Sequence, residues 1–142
     1  MRTQCRPAPP RSPLAGRLLG ERGAAAVEFA LVVPVLVFLL LGIIEYSKAF
    51  QVQATLADAA REGARVMALA NDSGSARTAV KTAATTVSLA DAQITVTPAS
   101  CAGAALTANV TVTVTYHQPF LSGFLGGTGV DLTGTAVMRC GG

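Results

Sequence analysis

Apolar and polar positions divide the chain into stretches of different period. Residues 1–20 mix four prolines (Pro7, Pro9, Pro10 and Pro13) with arginines and show no apolar repeat, which predicts a disordered leader over 1–23. Residues 29–44, FALVVPVLVFLLLGII, are sixteen in a row without a charge, and Ala24 to Val27 extend the run back across a single Glu28. A helix crosses a bilayer with about 20 apolar residues, so the pattern predicts a transmembrane helix over 24–46. Pro34 leaves the Ala30 carbonyl without its helical donor and predicts a kink, which transmembrane helices tolerate. A soluble core helix is the competing reading. It fails because a chain of 142 residues cannot supply a shell around a segment apolar on all sides.

After Ile44 the period becomes amphipathic. Val52, Leu56, Ala59, Gly63, Val66 and Ala70 recur at spacings of three and four, while Asp58, Arg61, Glu62 and Arg65 occupy another face as two i,i+3 pairs. The helix is therefore expected to continue outside the membrane to about residue 70, where Asn71-Asp72-Ser73-Gly74 ends it. A second helix is expected over 75–88 with Ser75 as its N-cap. Strands are expected over 93–97, 108–116 and 130–138, the middle one alternating Val110, Val112 and Val114 with threonine. A glycine-rich loop, 122–129, joins the last two. The fold class read from this order is α+β, a small antiparallel sheet of about three strands laid on the outer half of the long helix, within an exported domain over 47–142.

Charge orients the chain. Residues 1–23 carry five arginines against Glu21, whereas the remainder carries six basic groups against seven acids, so the net +3 of the whole sequence sits on one flank of the apolar run. That asymmetry follows the positive-inside rule, with the N-terminus in the cytoplasm and the C-terminal domain outside. Nucleic-acid binding would need the basic groups on a folded face instead, and no nucleic-acid partner is expected. Charged residues are 13% of the chain against about 25% in typical soluble domains, consistent with a lipid bilayer as partner. Glu45 and Tyr46 then fall at the outer border of the membrane, Tyr46 in the aromatic belt. Cys5 lies in the leader, on the reducing side. Cys101 and Cys140 lie outside, where disulfides persist, and a bridge between them is expected. No C-x-x-C pair suggests a metal or redox site.

Catalytic chemistry finds little support. His117 is the sole histidine and reads as a loop residue, and no phosphate loop, nucleophile motif or metal cluster occurs. The chain is expected not to be an enzyme, with no catalytic residue, cofactor, metal or small-molecule substrate.

The informative constellation is Arg22-Gly23-Ala24-Ala25-Ala26-Val27-Glu28-Phe29, a glycine followed five positions later by an acid at the start of the apolar run. A carboxylate inside a membrane costs about 2.5–3.5 kcal/mol on insertion scales, so it has a partner or a task. One reading makes Glu28 an interfacial group favoured by the helix dipole. The other is suggested by similarity to prepilins: a membrane peptidase cuts after the glycine, and the glutamate pairs with the new α-amino group. Spacing alone leaves both open.

The wider pattern weighs for the second. Arg22-Gly23, Val27-Glu28-Phe29-Ala30-Leu31, Pro34, Gly42-Ile43-Ile44-Glu45-Tyr46 and Ala59-Ala60-Arg61-Glu62-Gly63-Ala64-Arg65 together resemble the TadE-like family of tight-adherence (Flp-type) pilus assembly proteins. The resemblance implies a bacterial pseudopilin or minor pilin in the cytoplasmic membrane. It implies cleavage between Gly23 and Ala24 by a prepilin peptidase, and an assembly role for Glu28 and Phe29. Its partners would be an assembly platform and other pilin-like subunits. The segment from Ala59 to Arg65 is either a partner-binding face or a solvated helix in which Gly63 permits close backbone contact. The alternative function is an exported binding or adhesin domain behind an ordinary signal peptide, cut after Ser47-Lys48-Ala49.

Overall fold

In the computed structural model, residues 15–103, 108–120 and 127–141 are described, with side chains from Gly23 onward. Residues 1–14, which include Cys5, and most of the glycine-rich loop lie outside the described residues. The first helix, α1, runs without interruption over Ala15–Ala70, Pro34 included. It starts well before Ala24, so residues 15–23 are helical and not the disordered leader expected of them. No proline falls between Pro13 and Pro34, and Leu18, Leu19, Glu21 and the arginines are good helix formers.

The chain divides into two units, one ending at Leu40 and the other running from Leu41. In the first, the described residues form helix alone, and its large apolar side chains are exposed, Phe29 at 71% and Leu31 at 70%. The stretch Gly23–Ala70 is long and apolar enough to cross a membrane by length and composition.

The second unit is an α+β sandwich of helix on sheet. After α1 come α2 (Ser73–Ala83), a 3-10 turn (Asp91–Gln93), β1 (Ile94–Thr97), β2 (Asn109–Pro119) and β3 (Gly129–Arg139). The three strands form an antiparallel sheet in the order β1-β2-β3, with Val96 opposite Val112 and Val112 opposite Ala136. Helix α1 ends at Asn71, which adopts φ 50°, a left-handed conformation that asparagine tolerates. The cap of α2 is Asp72, not Ser75: its carboxylate accepts from the backbone N–H groups of Gly74 (3.3 Å) and Ser75 (2.7 Å). The helix stops at Ala83, short of 88, because Thr85, Thr86 and Val87 are β-branched and lose side-chain freedom in a helix.

Valines 110, 112 and 114 of β2 point inward and are fully buried, with Ile94 and Val96 of β1 beside them. They meet Val52, Leu56, Ala59 and Met67 of α1 and Val80 of α2. The buried arc of α1 is wider than the expected stripe. Ala60, Ala64, Met67 and Ala68 are buried, while Val66 is half-buried and Ala70 exposed. Two neighbours share that helix, α2 on one flank and the sheet on the other, so the arc spreads over both. Close approach needs small residues at the crossings. A Cβ on Gly63 would strike Val80, and one on Gly134 of β3 would strike the backbone of Leu56 and Ala57.

Candidate functional site

Gly23 and Glu28 sit on the helical part of the first unit, one and a half turns apart. Nothing lies within 4 Å of the place a Cβ would occupy on Gly23, so the described packing of the chain does not require a glycine there. Glu28 is exposed and lines a shallow concavity of about 260 Å³ with Ala25, Phe29 and Val32, its neighbours one helical turn away and next to it. Ala24 and Phe29 are likewise exposed. The helix thus brings Gly23, Ala24, Glu28 and Phe29 into one accessible segment of two turns, with apolar surface continuing beyond it.

In the second unit, the segment from Ala59 to Arg65 divides its residues by size. Ala59, Ala60 and Ala64 have no exposed surface and Gly63 is buried, whereas Arg61, Glu62 and Arg65 reach outward. Arg61 pairs with Asp58 at 2.8 Å and Arg65 with Glu62 at 3.6 Å, both on exposed surface where such pairs contribute little. The inner half of this segment is therefore core against α2 and β2.

Glu45, expected at the outer border of the membrane, is also enclosed by the protein itself. It is only 8% exposed and stands one turn before Ala49, at the start of the buried side of α1 in this unit. Periodicity read from Val52 onward missed it because an acid does not register as part of an apolar stripe. Tyr46 and Phe50, on the other side, are 74% and 66% exposed and stack at 6.5 Å between ring centroids.

Cys101 and Cys140 are joined, with Cα atoms 5.5 Å apart. Asn71 supports the bridge: its side-chain oxygen accepts from the Cys101 backbone N–H and from the Ser100 hydroxyl (3.3 Å). The bridge thereby ties the end of α1 to the end of β3, where Gly141 donates to the Ala68 carbonyl at 3.3 Å.

His117 is not a loop residue. Strand β2 continues through it, and it faces Asp131 of β3 in register, Nδ1 to Oδ1 2.6 Å. Asp131, accepting that bond, raises the imidazole above its ordinary value, and the Thr128 backbone adds to the effect. Thr115 and Thr133 line one recess with this pair, and among the described residues no group of three or more metal-ligating side chains occurs. The Lys81 ammonium, 2.8 Å from Asp91, lowers that carboxyl, and the bonds Asp72 makes with Ser75 and Gly74 lower Asp72.

Residues 23–65 match the family model described as TadE-like protein. The match opens on Gly23, takes in Glu28 and the whole apolar run, and closes on Arg65 at the end of the small-residue segment. This stretch is TadE-like. No curated protein and no solved structure matches the chain. The TadE-like match associates the chain with tight-adherence pilus systems in general terms, and its apolar helix is compatible with single-pass membrane anchoring. It stops short of α2 and the sheet.

Proposed function

We propose that this chain is a pseudopilin or minor pilin of a tight-adherence, Flp-type pilus, held in the bacterial cytoplasmic membrane by α1 with its N-terminus in the cytoplasm. The observation that carries the reading is the TadE-like match beginning at Gly23 and including Glu28. A prepilin peptidase cuts between Gly23 and Ala24. Two facts support that site: the segment is exposed, and the chain's own described packing makes no demand for glycine at 23. The requirement then comes from outside, from a narrow peptidase cleft that a side chain would block. The Glu28 carboxylate pairs with the α-amino group made by cleavage, its own or a neighbouring subunit's, which offsets the cost of a charge at the membrane.

The protein acts by structure and contact, with the assembly platform and other pilin-like subunits as partners. An exported domain released by cleavage after Ala49 is disfavoured, because that cut would pass through α1 and remove Glu45 from its buried place within the sheet-bearing unit. Deleting the chain in its host and counting pili tests the role. Loss of pili, restored by the intact chain, is expected; full piliation without it would contradict the proposal.

A further inference from the structure

The second unit carries an apolar groove of about 520 Å³, lined by Tyr46, Ala49 and Phe50 of α1 and by Phe120, Val130 and Leu132 at the ends of β2 and β3. Besides Tyr46, the polar side chains Gln53 and Glu45 line it, and both are engaged with the protein. Gln53 donates to the Thr133 carbonyl at 2.7 Å, and Glu45 is buried and engaged. The rest of the lining is aromatic and aliphatic, so the groove suits a hydrocarbon. Its rim is continuous along α1 with Ile43 and Ile44, exposed at 57% and 50%, and Val130 adds 37% from the sheet side.

Length says what hydrocarbon lies there. The sixteen uncharged residues from Phe29 to Ile44 rise about 24 Å as helix, whereas a bilayer core is about 30 Å thick. With Ala24–Val27 and the border residues Glu45 and Tyr46 included, the span over 24–46 rises about 34 Å, and its outer end, with Gly42, Glu45 and Tyr46, is already part of the groove lining. The turn at that outer end holds Glu45, Tyr46, Ser47 and Lys48. The acid among them faces the protein, the aromatic faces out, and Lys48 can reach the headgroups by its long stem. We infer that the foot of the exported domain dips into the outer leaflet, and that an acyl chain of that leaflet occupies the groove between Tyr46–Phe50 and Val130–Leu132. This rests on the membrane reading under Proposed function, and the test separates the two.

The chain has no tryptophan, so single Trp probes in the full-length protein report one position each. Val130→Trp probes the groove, Leu36→Trp the apolar run, and Thr95→Trp the exposed side of β1, all in nanodiscs holding one copy and lipids spin-labelled on the acyl chain near the headgroup or near its end. Val130→Trp should lose emission to the shallow label, Leu36→Trp to the deep one, and Thr95→Trp to neither. Tyr46→Trp, also quenched by the shallow label, guards against a local disturbance at Val130. If Leu36→Trp escapes both labels, the membrane reading falls and the groove proposal with it. If Leu36→Trp is quenched while Val130→Trp and Tyr46→Trp answer only to aqueous iodide, the groove proposal alone is overturned. Shielding of Val130→Trp that arises only in discs holding two copies would identify a neighbour's helix as the occupant, and also overturn it.

Discussion

Gly134 and Gly63 are the residues on which the packing of the second unit turns. At Gly134 the obstacle to a side chain is the backbone of α1 at Leu56 and Ala57, which cannot rotate away, whereas at Gly63 it is chiefly one methyl group of the Val80 side chain. Overpacking costs about 1–3 kcal/mol, so Gly134→Val should destabilise by the upper part of that range and Gly63→Ala by less. Thermal unfolding of the detergent-solubilised chain checks the order, and a harmless Gly134→Val would contradict the crossing. At Glu28 the expected effect is on assembly. Glu28→Leu removes a charge from the membrane, so it should insert as well as the parent and still be cleaved. Without a carboxylate to meet an α-amino group it should not support pili, and Glu28→Gln should fail likewise. Membrane fractionation beside a pilus count decides this. Wild-type piliation by both variants would leave Glu28 a plain interfacial residue.

At the scale of elements, local chemistry was readable where periodicity was strict. The Val–Thr alternation of β2 faces its valines inward, and the apolar run lies on one uninterrupted helix. Boundaries were harder, for identifiable reasons. Asp72 and Ser75 are both good caps, and only the backbone turn after Asn71 selects Asp72. The reach of β2 past Tyr116 depends on its pairing with β3, a long-range fact with no local signal. The wide buried arc of α1 needed knowledge of two packing partners, and Glu45 was hidden by its charge.

Two ion pairs and the α2 cap give a pH dependence whose sign follows from their shifts. His117 is raised in the folded state, so its contribution is complete below its unfolded value of 6.5 and is lost as pH rises through the higher folded value. Asp72 and Asp91 are lowered, so theirs is complete above 3.8 and is lost as pH falls through the lower folded values. Stability from these groups should peak between the two ranges. In a series of melting temperatures against pH, His117→Gln should flatten the limb on the neutral side, and Asp91→Asn part of the acid limb. An unchanged neutral limb in His117→Gln would assign that limb to other groups.

For the molecule as a whole, the Cys101–Cys140 bridge closes a separation of 39 residues that contains all of β2 and β3. Chain entropy gives about 4 kcal/mol for a loop of that size. Paired Cys101→Ser and Cys140→Ser changes should destabilise the sheet-bearing unit by about that much, read by denaturant unfolding with and without reductant. Reductant should then have no further effect. Reactive thiols at both positions in the untreated protein would refute the bridge.

The central claim is that the chain is processed and assembled as a pilin-like subunit. Sequence similarity reaches only to Arg65, so the sheet-bearing half contributes no family argument of its own. The decisive fact lies at the other end. The N-terminal residue of the membrane-bound protein, read by intact mass and Edman sequencing from a host with its prepilin peptidase, tests the claim most directly. The account predicts Ala24 as the first residue, and Met1 in a Gly23→Leu variant or a peptidase-deficient host. A wild-type chain beginning at Met1 or at Phe50 would contradict it.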